Sequence, residues 1–114
     1  MREVKADLAE MHFLEAPLVR GELPGPEARR FLQKQQELES NVFKYPRAVP
    51  LVPAEARGAT IKDVDGNVFI DFFAGIGVVN VGYNNPQVLA AAQEQEKRLI
   101  HPLDFPAPPR VELM

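Results

Sequence analysis

The stretch GATIKDVDGNVFIDFFAGIGVVNVGYNNP, residues 58–86, indicates the fold of this chain. Its first part contains two runs rich in β-branched and aromatic residues, 60–64 and 68–72, which suit a pleated sheet. Between them the tripeptide DGN, residues 65–67, is a strong signal for a tight reversal, because its residues tolerate the positive φ of such a turn. The pattern predicts a β-hairpin over residues 59–72. Both faces of its second run carry apolar side chains, so we expect that strand to be covered on both sides.

Three glycines follow the hairpin, at positions 75, 77 and 82. A dinucleotide-binding loop, G-x-G-x-x-G, needs its third glycine where Asn80 stands, and it needs a helix directly afterwards. A calcium loop is disfavoured as well, because the glycine among the oxygen-bearing side chains of residues 63–67 is out of register and the closing glutamate is missing. We therefore interpret residues 74–82 as a turn in which glycine lets the backbone reverse and lets other atoms approach closely.

Two amphipathic helices are predicted, over residues 26–40 and 86–99. Each begins with proline, which has no N–H to leave unpaired in the first turn, and the second follows two asparagines that can cap its N-terminus. Pro102 ends the second helix. The apolar stripes at helical spacing are Ala28, Phe31, Leu32 and Leu38 in the first helix, and Val88, Leu89, Ala92 and Leu99 in the second.

The remaining segments give weaker signals. Residues 1–24 form an N-terminal arm with a short helix before Pro17, and the arm is either a dimer arm or lid, or a docked or frayed terminus. Three prolines make residues 40–53 an extended connector or an edge strand. The proline-rich stretch 101–114 ends in the start of another helix.

Composition bounds the class of protein. The chain has 114 residues, 46% hydrophobic and 25% charged, with a net charge of -3 and no cysteine. One domain at most fits this length, and the scattered charges show no basic face for nucleic acid or an anionic membrane. Disulfides and thiolate metal sites are excluded, and the sequence has neither a membrane-length apolar run nor a signal peptide. We expect a soluble, cytoplasmic protein without a metal site.

The pattern A-R-G-A-x-I-x-D-V-D-G-N-x-x-I-D-F-x-A-G-I-G-V-x-N-V-G-x-x-N-P-x-V, residues 56–88, resembles the N-terminal part of class III aminotransferases. These pyridoxal-phosphate enzymes of fold type I include 4-aminobutyrate, ornithine, acetylornithine and diaminobutyrate aminotransferases and some amino-acid racemases. The resemblance covers residues 25–114. It implies an α+β fold, with N-terminal helices and a small antiparallel β-hairpin or meander. It also implies that residues 25–114 are the N-terminal segment of the small domain, with the large cofactor-binding domain absent.

The resemblance implies a full-length homodimer that uses pyridoxal 5'-phosphate to move an amino group between an amino acid and a 2-oxo acid. In the family the cofactor-binding residues lie later in the chain. None of the lysines here stands in the family's lysine context, and three of them, Lys34, Lys62 and Lys97, are on predicted exposed faces. We therefore predict no catalytic and no cofactor-binding residue in this chain. The chain alone should be inactive, and it should bind added pyridoxal phosphate on no specific lysine. The other two lysines are Lys5 and Lys44.

The same resemblance implies that the segment lines the substrate entrance and dimer contacts, and it assigns two substrate-binding residues at the entrance, Ile76 and Gly77. An apolar side chain at position 76 favours an aliphatic substrate over one whose second amine needs a polar partner. Without the resemblance, packing in an ordinary core is the simpler interpretation of Ile76. One departure from the family pattern is Tyr83, which stands where the family usually carries histidine, so a hydrogen bond made by that histidine is in question.

Two alternatives stay open at this stage. A racemase of the same fold begins with the same proton removal, so the sequence does not separate it from a transaminase. The other alternative is a non-catalytic remnant that binds a partner, such as an intact homologue. A segment without its large domain exposes apolar surface, which a partner could cover.

Overall fold

The structure is a computed structural model that describes residues 10–39, 49–101 and 104–112. The described part is α+β, as predicted, and its three strands form one antiparallel meander in the order β1-β2-β3. The elements are α1 (Pro26–Leu38), β1 (Pro53–Arg57), β2 (Thr60–Asp63), β3 (Val68–Ile70), the one-turn α2 (Ala74–Gly77), α3 (Pro86–Glu96) and α4 (Pro108–Glu112). The described residues fall into two compact units, one that ends at Asn85 and one that begins at Pro86.

The hairpin is closed by a side chain rather than by the backbone alone. β2 pairs with β3 so that Lys62 lies opposite Val68. One oxygen of the Asp63 carboxylate accepts the N–H groups of Asp65, at 3.0 Å, and Asn67, at 2.7 Å, and the other accepts the Asn67 amide N–H at 2.7 Å. Because these bonds fold the chain back directly after Asp63, the strands are shorter than the hairpin predicted over residues 59–72.

The third strand, β1, was not predicted. Its sequence PAEAR consists of proline and good helix formers, so neither β-propensity nor alternation marks it. At its end, Gly58 pairs with Tyr83 through two backbone hydrogen bonds of 2.8 and 2.9 Å. The Asn84 amide donates to the Ala56 carbonyl oxygen at 2.7 Å. Asn84 therefore covers the sheet edge, and the residue that directly precedes α3 is Asn85.

Helix α1 is capped by a residue of the hairpin turn. Its own N-cap residue is Gly25, which has no side chain to offer. The Asp65 carboxylate takes that role: Oδ1 accepts the Glu27 N–H and Oδ2 accepts the Ala28 N–H, both at 2.8 Å. A Cβ atom at position 25 would overlap this carboxylate. The helix ends at Leu38, before the predicted boundary at residue 40, because the next residue is already extended; residue 40 lies outside the described part.

The described part of the arm lies against the hairpin. Leu18 pairs with Val68 through two backbone hydrogen bonds, of 2.7 and 2.8 Å, on the edge of β3 that β2 leaves free. The Arg20 N–H donates to the Asn67 side-chain oxygen at 2.6 Å. These contacts place residues 13–20 in the larger unit and agree with a terminus docked on its own chain. The predicted arm helix falls largely on residues 1–9, which lie outside the described part.

The buried core is small. Val68 is the largest side chain that is fully buried among the described residues, and Ala28 of α1 is buried as well. The expectation that β3 is covered on both sides holds only at its start: Phe69 is half-buried, whereas Ile70 is 43% exposed and Phe72, just beyond the strand, is 94% exposed. The larger unit therefore keeps much apolar surface uncovered.

The smaller unit contains α3 and α4. None of the α3 residues is buried, although the sequence predicts an apolar stripe there. The helix ends at Glu96 rather than at residue 99, and in the turn that follows the N–H groups of Arg98 and Leu99 both donate to the Gln95 carbonyl oxygen, at 3.0 and 2.9 Å. α4 begins at Pro108, two residues earlier than the helix start seen in the sequence at residue 110.

Two glycines allow a matched test of the packing between the arm and the sheet. Gly58 and Gly66 both have positive φ, +55° and +79°. A Cβ at position 66 would meet only the Arg20 side chain, at 3.5 Å, whereas one at position 58 would overlap the Met11 carbonyl oxygen. We expect Gly66→Ala to cost about 1 kcal/mol from the left-handed backbone alone. Gly58→Ala should cost about 2–4 kcal/mol, since the arm must also move. Urea unfolding of both variants measures the difference, and equal costs would show that the arm does not pack there.

Candidate functional site

The candidate site is the glycine turn, residues 74–82, which follows β3. Its first bonds come from Asp71, whose Oδ1 accepts the N–H groups of Phe73, at 2.7 Å, and Ala74, at 3.1 Å. A short carboxylate side chain that accepts amides two and three residues ahead starts a turn and stops a strand. Asp71 therefore ends β3 and fixes the direction in which the turn leaves the sheet.

The turn contains a run of four residues with left-handed φ. Ala74, Gly75, Ile76 and Gly77 have φ of 49°, 58°, 59° and 81°. Within the turn the Ile76 N–H donates to the Phe73 carbonyl oxygen and the Val79 N–H to that of Ala74, both at 3.0 Å. Glycine adopts this conformation freely, but a β-branched residue there is strained. Strain of this kind persists where the surrounding structure enforces it, and it is a pointer to function.

The far end of the turn returns to Asp71. The Tyr83 hydroxyl donates to Asp71 Oδ2 at 2.9 Å, while the Tyr83 backbone is held by Gly58. The Phe73 N–H is the largest cause that holds the pKa of Asp71 below its usual 3.8, and the Tyr83 hydroxyl and the Ala74 N–H act in the same direction against partial burial. The hydrogen bond to Asp71 in turn raises the pKa of Tyr83 above its usual 10.0. Tyr83 stands where the family usually carries histidine, and its hydroxyl makes a side-chain hydrogen bond at that position.

The two residues predicted to bind substrate lie at the exposed tip of the turn. Ile76 is 80% exposed, so it is not a core residue of this chain. A Cβ at Gly77 would meet only the Asn80 side chain, at 3.7 Å, which is ordinary contact. No backbone of the described residues approaches Gly77 closely; the positive φ, not a lack of space, is what favours glycine there.

The turn is surrounded by exposed apolar side chains that sequence reasoning did not assign to a site. These exposed residues are Phe72, Phe73, Val78 and Val81. Phe72 belongs to the run 68–72, for which the sequence predicted a strand covered on both sides, and the aspartate that ends β3 before it is the only local signal against that prediction. Elsewhere in the larger unit an open groove is lined by Phe31, Leu32, Gln35, Val49, Leu51, Val52 and Pro53.

The described lysines do not fit as the attachment point of a pyridoxal-phosphate cofactor. Lys62 was predicted to be exposed but is half-buried: its ammonium lies 4.2 Å from the centre of the Phe13 ring and 3.8 Å from the Glu15 carboxylate. Lys97 pairs with Glu94 on α3 at 3.4 Å. Lys34 is exposed on α1, and Lys5 and Lys44 lie outside the described part. An ion-paired or exposed ammonium is a poor nucleophile, so we derive no cofactor step from these residues.

We also searched the described residues for groups that could hold a metal ion and for helices that could span a membrane. Across residues 10–39, 49–101 and 104–112, no three carboxylate or histidine side chains come together as a group that could hold a metal ion. No helix in the described part is both long enough and apolar enough to span a bilayer.

Comparison with known proteins identifies the family. The sequence profile of "Aminotransferase class-III" matches residues 44–112. The chain is 38% identical over 82 residues to the diaminobutyrate–2-oxoglutarate aminotransferase of Haemophilus influenzae, covering 70% of this chain and 18% of that protein. It is 36% identical over 92 residues to the alanine/serine racemase of Pyrococcus horikoshii, covering 81% and 19%. The chain belongs to the class III aminotransferase family, and it spans about a fifth of the length of these relatives.

Solved structures support the same assignment. The ornithine aminotransferase of Toxoplasma gondii superposes with a TM-score of 0.58 at 28% identity, over 70% of this chain and 18% of that one. An (S)-enantioselective omega-transaminase from Thermomicrobium roseum gives 0.57 at 31% identity, over 75% and 21%. The small meander and its helices match the N-terminal part of fold type I aminotransferases, as expected.

The strain at Ile76 can be tested against a neighbour of equal exposure. Ile76 and Val78 are both β-branched and are 80% and 83% exposed, but their φ values are 59° and -75°. Asparagine tolerates the left-handed region, and little buried area is lost at either site. We expect Ile76→Asn to stabilise the chain by about 0.5–1 kcal/mol. Val78→Asn should bring no gain. Denaturant unfolding of the two variants provides the measurement, and a loss of stability at position 76 would contradict the strained conformation.

Proposed function

We propose that the protein is, at full length, a pyridoxal-phosphate-dependent aminotransferase that moves an amino group between an amino acid and a 2-oxo acid. The observation that carries the proposal is membership of the class III family, with aminotransferases among the most similar relatives. Residues 25–114 would supply the N-terminal segment of its small domain, and residues 1–24 the arm. The segment itself would shape the substrate entrance and contribute to dimer contacts, without carrying the reaction.

Ile76 and Gly77 are the residues that we propose to face the substrate. Three features of the turn support this. Ile76 keeps an unfavourable left-handed φ although its side chain gains almost no burial within the described residues. Gly77 leaves the space beside it open for another molecule. The turn is held at both ends, by Asp71 and by Tyr83, so its tip is presented in a defined place.

The chemistry of residue 76 favours one class of amino donor. A branched aliphatic side chain offers contact area and no hydrogen-bond partner, so a second ammonium group placed against it would lose its hydration without compensation. We therefore propose an aliphatic donor rather than a diamine. Related proteins named for diaminobutyrate and for 4-aminobutyrate show that the family accepts several donor types.

A racemase is the second candidate, and one observation favours it. The relative from Pyrococcus horikoshii is named as an alanine/serine racemase, and it matches 81% of this chain. The aminotransferase remains the stronger proposal because the other relatives compared here are named for amino-group transfer. A non-catalytic remnant that binds an intact homologue rests only on the exposed apolar side chains of the larger unit.

The same proposal includes the cofactor, the assembly and the location. Enzymes of the class III family depend on pyridoxal phosphate, which when bound supplies the electron sink for the electron pair left on the α-carbon of the amino acid as its proton is removed. The described residues offer no fitting lysine, so the anchoring residues would come from elsewhere in the full-length protein. A cytoplasmic homodimer is expected from composition and from the resemblance.

The experiment uses the protein as its gene encodes it, purified in the presence of pyridoxal phosphate. Amino transfer to 2-oxoglutarate is measured for a branched aliphatic donor and for a diamine of similar length. We expect the aliphatic donor to have the higher kcat/KM. Ile76→Ser should lower kcat/KM for that donor by about ten- to 100-fold, the range for losing one or two methylene contacts in an apolar pocket.

Val78→Ser is the matched control, because Val78 is equally exposed and lies two residues away with ordinary backbone angles. It should leave the donor preference unchanged. Inversion of a chiral donor without loss of its amino group would establish the racemase instead. Amino transfer that is indifferent to residue 76 would leave the enzyme class standing and remove Ile76 from the substrate site.

A further inference from the structure

The proposed function uses the contact between Asp71 and Tyr83 only as support for the tip of the turn and does not say what either side chain does. We propose that these two side chains form a positioning pair that holds the left-handed run of the glycine turn in place, and so sets where Ile76 meets the substrate side chain. The inference rests on the proposed function for its last step only. Neither residue is proposed to touch substrate.

One carboxylate joins the two ends of the turn. Asp71 Oδ1 holds the start, through the N–H groups of Phe73 and Ala74. Asp71 Oδ2 holds the end, through the Tyr83 hydroxyl at 2.9 Å, although Tyr83 lies 12 residues later in the sequence. A charged acceptor shared in this way restrains both ends at once, and hydrogen bonds to a charged group are stronger than neutral ones.

Tyr83 is anchored independently of Asp71. Its backbone pairs with Gly58 at the end of β1, and the neighbouring Gly82 lies so close that a Cβ there would be 3.0 Å from the Gly58 Cα. The Tyr83 backbone is therefore held by the end of β1 rather than by the turn that its side chain closes. The base of the turn thus lies between the Tyr83 hydroxyl on one side and Asp71, at the end of β3, on the other. The hydrogen bond between them restrains the distance across the base.

The run between these anchors needs restraint. Ile76 has a left-handed φ of 59° and its side chain is exposed, so packing does not hold it there. A β-branched residue freed from restraint leaves this region, because the conformation is unfavourable for it. Loss of the tyrosine hydroxyl should therefore loosen the tip of the turn without affecting the hairpin, whose bonds are made at residues 63–67.

Tyrosine absorbance provides the first measurement on the 114-residue chain. The chain contains two tyrosines and no tryptophan, so Tyr45→Phe leaves Tyr83 as the single titrating phenol. We expect that phenol to ionise above the usual pH for tyrosine, because its hydroxyl donates a hydrogen bond to the Asp71 carboxylate, and we expect Asp71→Asn to lower the midpoint. The control is Asp71→Asn in a Tyr83→Phe background, where the midpoint of Tyr45 should not move. An unperturbed Tyr83 midpoint would overturn the pair.

Hydrogen exchange provides the second measurement. Tyr83→Phe keeps the ring and removes one hydrogen bond, so exchange of the Phe73 and Ala74 amides should become about three- to tenfold faster. The Leu18 and Val68 amides, which pair the arm with β3, serve as the internal control and should keep their rates. Faster exchange at all four amides would mean a general loss of stability, and it would contradict a local positioning role.

Kinetics of the protein as its gene encodes it complete the test. Tyr83→Phe should raise KM for a branched aliphatic donor about tenfold and leave kcat unchanged for alanine, whose methyl group is too short to depend on the tip. A parallel loss of kcat with both donors would overturn the positioning role. If the wild-type protein transfers no amino group while Tyr83 titrates as described, the proposed function fails and the pair stands.

Discussion

The carboxylates and the amide of one five-residue turn, residues 63–67, hold the larger unit together. Asp63 closes the hairpin, Asp65 caps the N-terminus of α1, and the Asn67 side chain accepts a bond from Arg20 of the arm. With so little buried apolar surface, directional bonds to charged acceptors carry more of the structure than they do in a domain with a large core. The sheet, the helix and the arm therefore depend on side chains that the sequence presents as an ordinary hairpin turn.

The glycine turn, residues 74–82, follows β3 and contains backbone in a strained left-handed conformation. Its base is fixed by Asp71 and Tyr83, and its tip carries Ile76 in a conformation that isoleucine disfavours. The apolar side chains around it are exposed within the described residues. A turn that is hydrogen-bonded at its base, strained at its tip and bordered by exposed apolar side chains agrees with the proposal that it shapes a substrate entrance.

Much of the fold was predictable from the sequence. The wrong or absent predictions concern contacts with distant parts of the chain, which local sequence patterns do not encode. Local signals located the hairpin, and the resemblance gave the family correctly. The strand β1 was missed because its sequence, PAEAR, favours a helix. It is a strand because it pairs with β2, and its own sequence does not encode that contact. The cap on α1 was missed because Gly25 gives no local signal and the capping residue, Asp65, lies 37 residues beyond the nearer capped amide, that of Ala28. Phe72 was predicted to be covered but is exposed, because the alternation of apolar residues in a strand does not show which face packs against another element.

The cap from Asp65 to α1 tests the central claim most directly. Asp65→Ala removes both bonds to the helix and leaves the Asp63 bonds of the hairpin in place, and Asp104→Ala at an exposed position is the matched control. Hydrogen exchange and denaturant unfolding should show faster exchange at the Glu27 and Ala28 amides and a loss of about 1–2 kcal/mol for Asp65→Ala alone. If both variants unfold at the same denaturant concentration and those amides keep their rates, the turn does not hold the helix and the account is wrong.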